Sequence, residues 1–248
     1  MVEYPVGTIH TTARIVDALS SVPDAGVTEL AEELDLSKGS VHNHLVTLER
    51  LGVVVAEEGR YRLGLRLLDV GMSVRDEMPL YRTARPSVSE LAASTGESVG
   101  LAVAEHGWAV YADVVDAERN DRRVRLGSRL PLHTTAAGKA VLAHSPPEAV
   151  ETYVETHGLV RRTNRTITEF DALREELRSI KDSRLAFDRG EAYTGMRAVA
   201  APIRTADHPP AALAVLGPGE RFSGKRLEED LPGLVLSAAK QVELALTE

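Results

Sequence analysis

Between Ser37 and Thr47 lies a row of side chains whose types and spacing suit the reading of a nucleic acid: Ser37, Lys38, Ser40, His42, Asn43, His44 and Thr47. If the segment is helical, Val41, Leu45 and Leu48 recur at intervals of four and three and form a buried stripe, which turns the polar residues outward. Amide, imidazole and hydroxyl groups along one helix face are the donors and acceptors that base edges and phosphates require. Ser37 is placed to cap the helix through its hydroxyl. The alternative is an ordinary helical hairpin with a solvated face, but glutamate and lysine usually dominate such a face.

A second constellation lies in LPLHTTAAGKAVL, where a loop becomes a helix beginning at Thr134 or Thr135. A helix start offers N–H groups and a favourable dipole to an anion. His133 precedes it, and the small residues Ala136, Ala137 and Gly138 let a carboxylate or phosphate approach the backbone. A tightly packed helix start is the alternative. The segment is not a nucleotide P-loop, because His133 stands where that motif needs Gly and Ala140 follows Lys139 where it needs Ser or Thr. His133, Asp188 and Glu191 could instead form an acid/base set acting on a small acid, with the N-terminal helices serving only for dimerisation. Against this enzyme reading, the chain has no G-x-S-x-G, no H-E-x-x-H and no Gly-rich nucleotide loop.

The elements that must position these groups can be read around them. A first helix starts at Val27, with Leu30, Ala31 and Leu34 on one face, and Asp35-Leu36 leads to Ser37. Val53–Val55, a turn at Glu58-Gly59, and Tyr61 and Leu63 alternating with Arg60 and Arg62 read as a β-hairpin. After a recognition helix such a hairpin is a wing, and Arg60 and Arg62 on one strand face could reach a phosphate or the adjacent minor groove; a plain structural hairpin is the alternative. Residues 64–78 read as a helix that breaks at Pro79, followed by a second helix ending before Gly96. Leu65, Leu68, Val70 and Met72 give the first of these an apolar side for a partner helix, unless it packs on its own domain.

From Ser98 the pattern alternates, with strands expected at 98–104, 108–115, 122–126, 184–187, 197–204 and 211–216. Helices are expected at 134–144, 147–157, 169–182 and 224–246, the last interrupted at Pro232. A hairpin through His106-Gly107 points to an α+β domain built on an antiparallel sheet. The expected division is a winged helix-turn-helix over 1–64, a linker helix over 65–79, and an α+β domain over 80–248.

The composition bounds these readings. The 248 residues, 43% apolar, suffice for two packed domains, and no stretch approaches the roughly 20 apolar residues that span a bilayer. The start, MVEYPVGTIHTT, lacks the basic and apolar runs of a signal peptide, so a cytoplasmic, non-membrane protein is expected. There is no cysteine, which excludes disulfides and thiolate metal sites, and His42 and His44 cannot share a helix face, so no metal and no cofactor is expected. Five lysines against twenty-four arginines fit a GC-rich genome; with the net charge of −8 they fit a salt-adapted organism as well. The arginine run Arg119, Arg122, Arg123, Arg125 and Arg129, interrupted by Asp121, suits surface charge and subunit contacts better than nucleic acid. Residues 1–80 hold seven basic against thirteen acidic residues, a net of −6, whereas residues 37–66 hold five against three, a net of +2. DNA binding through so weakly positive a face should involve few ionic contacts.

Taken together, TELAEELDLSKGSVHNHLVTLERLG with GRYRLGLRLL, GSRLPLHTTAAGKAVL at 127–142, DRGEAYTGMRAVAAPI at 188–203 and AALAVLGP at 211–218 resemble the IclR family of transcriptional regulators over nearly the whole chain. The resemblance implies a winged-helix reader of double-stranded operator DNA, a linker helix, and a C-terminal GAF-like α/β domain that senses a small organic or sugar acid. It also implies a homodimer, or dimer of dimers, formed through the linker and a helix around Thr11–Val22, and reading a palindrome. Carried over residue by residue, the ligand region comprises Leu130, Ala136, Ala137, Asp188, Met196, Ala198, Ala214 and Leu216. Family members often have cysteine or serine at the last three of these positions, where this chain has alkyl groups. A hydroxylated acid would lose hydrogen bonds there at about 1–3 kcal/mol each, so the expected effector is bulkier and less polar, an aromatic acid or a sugar derivative held differently. Whether the regulator represses or activates is left open.

Overall fold

The computed structural model describes residues 4–116, 123–204 and 210–247. The chain divides into two compact units, Met1–Glu77 and Met78–Glu248. In the first, α1 (Gly7–Ser20), α2 (Val27–Leu34) and α3 (Lys38–Arg50) pack on a small sheet of β1 (Ala25–Gly26), β2 (Val54–Glu57) and β3 (Arg60–Leu63), ordered β1-β3-β2. Ile15 and Leu19 of α1 meet Leu30 of α2, Val41, Leu45 and Leu48 of α3, Val54 of β2 and Tyr61 of β3 in one core. Helices this short are marginal alone, and burial of their apolar stripes holds them. Asp35, left-handed at φ 53°, ends α2. Ser37 Oγ then accepts the Ser40 N–H at 3.1 Å and starts α3. Glu58 and Gly59, at φ 52° and 80°, make the turn between β2 and β3, the backbone that a two-residue hairpin loop favours. β1 has no counterpart in the sequence pattern, because two residues carry no period. α4 (Arg66–Asp76) buries none of its residues.

The second unit opens with α5 (Pro79–Thr95), so Pro79 begins a helix rather than simply breaking one; its missing N–H and fixed φ suit a first helical turn. There follow β4 (Ser98–Glu105), β5 (Trp108–Val115), β6 (Arg129–Pro131), α6 (Ala136–Ala143), α7 (Pro147–His157), α8 (Phe170–Ser183), β7 (Ala186–Asp188), β8 (Met196–Ile203), β9 (Ala211–Pro218) and α9 (Leu231–Ala245). The strands form one antiparallel sheet in the order β6-β5-β4-β9-β8-β7. α5 and α9 cover one face, over Val99, Leu101, Val103, Val199, Leu213 and Val215. α6, α7 and α8 cover the other, over Ala102, Ala198, Ala200, Ala212 and Ala214.

Two expectations need correction here. Residues 123–126 form turns and bends, not a strand, and residue 122, like Arg119, lies outside the described residues. The alternation there buries Val124 but leaves Leu126 exposed, too little to hold a strand. The interruption expected at Pro232 falls earlier, in a π-helical turn at Arg226–Asp230; Pro232 sits in the first turn of α9, the position where a helix best tolerates proline.

Candidate DNA interface and effector site

On α3, Lys38, His42, Asn43 and Thr47 are exposed and Ser40 is half-buried. The Thr47 hydroxyl donates back to the Asn43 carbonyl at 2.8 Å, so it serves the helix. His44 departs from the expected outward row: it is half-buried, and its Nδ1 lies 2.8 Å from Thr12 Oγ1 on α1. Residue 44 follows Val41 by three, at the border of the buried stripe, where α1 can reach it. α1 also braces α2, through an Arg14 Nη2 bond of 2.6 Å to the Leu34 carbonyl.

Arg60 and Arg62 do share the exposed face of β3, but both guanidiniums are already partnered. Arg60 pairs with Asp24 and, at 3.0 Å, with Glu29; Arg62 pairs with Glu57 at 2.8 Å. Glu29 also accepts the Gly26 N–H at 2.8 Å, and this backbone bond together with Arg60 holds its carboxyl below the usual range. Exposed pairs of this kind are weak and screened by salt, so a phosphate would have to compete with a carboxylate for each wing arginine.

In the second unit the family-derived residues converge. Leu130, Ala136, Ala137, Met196, Ala198, Ala214 and Leu216 belong to one buried cluster. α6 starts against it with Thr135 Oγ1 accepting the Gly138 N–H at 2.9 Å, and Thr134 Oγ1 donating to the Pro131 carbonyl at 2.9 Å. The Gly138 N–H is therefore not available to a ligand. Any Cβ at residue 138 would meet the Leu132 carbonyl oxygen at 2.2 Å, so glycine is needed for this close crossing. Asp188, at the end of β7 beside Ala198, accepts N–H groups from Gly190 at 2.9 Å and Glu191 at 2.6 Å. Burial pushes its pKa up, and those N–H groups and Lys139 pull it back.

Tyr111 completes this cluster and was missed from sequence. It sits opposite Ala102, fully buried, close enough to Thr135 and Asp188 that burial and the Asp188 charge push its phenol well above the usual range. A Cβ on Gly100 would come 2.7 Å from the Tyr111 ring. The signal available was an aromatic with a polar tip among small aliphatic strand residues.

The acid/base set does not assemble. Glu191 turns to Lys139, a fully buried lysine whose Nζ donates to both Glu191 oxygens at 2.7 and 2.9 Å and to Glu176 at 2.9 Å. Burial pushes Glu191 up to about 6, against the pull of Lys139. His133 contacts Tyr153 Oη at 2.6 Å through Nδ1 and the Val160 carbonyl at 3.1 Å through Nε2. Burial lowers the His133 pKa and pushes Tyr153 up to about 12. A neutral imidazole has one donor and one acceptor, so Nε2–H donates to the Val160 carbonyl and Nδ1 accepts from the Tyr153 hydroxyl. His133 therefore braces α7 and has no nitrogen left for proton transfer. Among the described residues no group of three or more His, Asp or Glu could hold a metal ion, and no helix is long and apolar enough to cross a membrane.

A capped, outward-facing helix followed at once by a two-stranded wing defines a winged helix-turn-helix, a DNA-binding module. Residues 11–58 match the IclR helix-turn-helix domain, and residues 72–244 match the bacterial transcriptional regulator IclR C-terminal domain. The chain is 33% identical over 240 residues to the HTH-type transcriptional regulator KdgR of Escherichia coli, covering 95% of this chain and 91% of that one. It is 30% identical over 247 residues to the "Probable HTH-type transcriptional regulator ArcR" of Halobacterium salinarum, covering 97% and 94%. The crystal structure of Thermotoga maritima IclR superposes with a TM-score of 0.78 at 28% identity, covering 98% of this chain and 99% of that one. The chain belongs to the IclR family: it is a DNA-binding transcriptional regulator with an IclR-type effector-binding domain, and not an enzyme.

Proposed function

We propose that this regulator works as a dimer on a palindromic operator, in the compartment that holds the DNA, with α3 in the major groove. The observation that carries the reading is the exposed row Lys38, His42 and Asn43 on a helix capped by Ser37. A dimer is supported by α4, which leaves Leu68, Val70 and Val74 exposed along with Leu65 before it, a surface that a second copy would cover. Two reading heads on a two-fold axis address half-sites about 34–36 Å apart, or multiples of that spacing. Asn43→Ala should weaken binding to the upstream intergenic DNA by about 1–3 kcal/mol in a gel-shift titration; undiminished binding removes Asn43 as a base reader. Because the head is acidic and its wing arginines are already paired, the log–log salt slope should stay below about 6 in magnitude per dimer, at about 0.9 for each phosphate neutralised. A steeper slope would mean that the contact surface lies elsewhere.

The controlling ligand is a small organic or sugar acid held against Ala198, Ala214 and Leu216 near Asp188. That wall is wholly alkyl and favours a less polar acid than one of two or three carbons. A calorimetric panel tests this, and glyoxylate or pyruvate as the tightest ligand would refute it. The ligand acts by binding one spacing of the reading heads better than another.

A further inference from the structure

At the end of the sheet where β7 finishes, β8 begins and β9 leaves, a cavity of about 490 Å³ is lined by Asn164, Arg165, Arg189, Thr194, Arg197 and Glu220, among others. Backbone carbonyls and a ring, rather than carboxylates, position its guanidiniums. Arg165 Nη1 donates to the Arg189 carbonyl at 2.8 Å, Arg197 Nη1 donates to the Phe222 carbonyl, and the Arg189 guanidinium lies 4.8 Å from the Phe187 ring centroid. None of the three forms an ion pair among the described residues, with Glu220 on the rim or with any other carboxylate.

Two other groups of arginines in the same unit are instead gathered around a buried carboxylate. Glu97 sits between Arg221 and Arg226, and Glu243 sits between Arg184 and Arg204. Three guanidiniums around one concavity repel each other unless an anion neutralises them, and each offers a fixed fork of donors matched to carboxylate or phosphate oxygens. Asn164 and Thr194 add neutral donors at the same cavity.

We propose that this cavity is a second anion-binding site, adjoining the apolar cluster around Ala198 and Ala214 through the shared Met196 but drawing its charge from Arg165, Arg189 and Arg197, that takes a small polyanion such as a tricarboxylate or phosphorylated metabolite. Its lining includes Gly190 and Met196, on the segment that Asp188 and Lys139 hold from the inner side, so occupancy should order residues 189–197. The test needs no knowledge of the effector. Calorimetric titrations of the full-length protein with citrate and, separately, with pyrophosphate, at constant ionic strength, should give saturable, submillimolar binding for at least one. Citrate binding alone would assign a tricarboxylate, and pyrophosphate binding alone a phosphorylated ligand. The double variant Arg165→Gln/Arg189→Gln should weaken that binding at least ~10-fold, as expected for the loss of charge-assisted bonds. Arg174→Gln, at a guanidinium lying over Phe170 on α8, should not change it. Hydrogen exchange on the unmodified protein guards against a misfolded variant: slower exchange at 163–166 and 189–197 on adding the bound anion supports the site. Absence of saturable binding, equal binding by a folded double variant, or protection confined to other segments would overturn it.

Discussion

The two faces of the six-stranded sheet come from the same strands yet carry side chains of different size. On β4, Val99, Leu101 and Val103 point to α5 and α9, whereas Gly100 and Ala102 lie between them on the other face; on β9, Leu213 and Val215 alternate with Ala212 and Ala214. The large face is a conventional core, where dispersion and the hydrophobic effect scale with the carbon buried. The small face lets α6 come close, all eight of its residues buried, and gathers Tyr111, Thr135, Asp188 and the Lys139–Glu191 pair beside it. One face contributes stability; the other gives up buried carbon and holds polar groups at fixed positions.

Substitutions can break or sharpen this contrast. The largest effect should come from Leu213→Ala on the large face, where a cavity in a fully buried site costs about 2–5 kcal/mol, read as a shift of the denaturation midpoint with effector affinity retained. A loss below that range would mean that the large face is not the main source of stability. Next, Ala214→Val on the small face should cost about 1–3 kcal/mol by overpacking and, if the acid lies there, lower its affinity more than tenfold in calorimetry. Unchanged affinity would move the ligand off this face.

The smallest effect is one of pH. Glu191 is raised from 4.5 to about 6 in the folded protein, so between those values the folded state binds more protons than the unfolded one and stability falls as pH rises. The cost, on the order of 1–2 kcal/mol, is absent below about pH 4.5 and complete above about pH 6. Glu191→Gln should lack this component when unfolding is measured across the window. Parallel pH profiles for the two proteins would show that burial of Glu191 is not felt.

What the sequence determined by itself was everything governed by neighbours along the chain. The period of Val41, Leu45 and Leu48, the cap at Ser37, the Glu58-Gly59 turn and the apolar runs that become β4, β5, β8 and β9 are local patterns, and they were legible. The motif residues Leu130, Ala136, Ala137, Asp188, Met196, Ala198, Ala214 and Leu216 were legible only through family resemblance, since alanines on a strand announce no chemistry. The tertiary structure decided which polar groups are already spent. Arg60 meets Asp24 across 36 residues of sequence, His44 meets Thr12 across 32, and Lys139 meets Glu191 across 52. A charge or a ring nitrogen looks the same in sequence whether it is available or satisfied. Its partner is set by the packing of distant segments, and no periodicity records that distance.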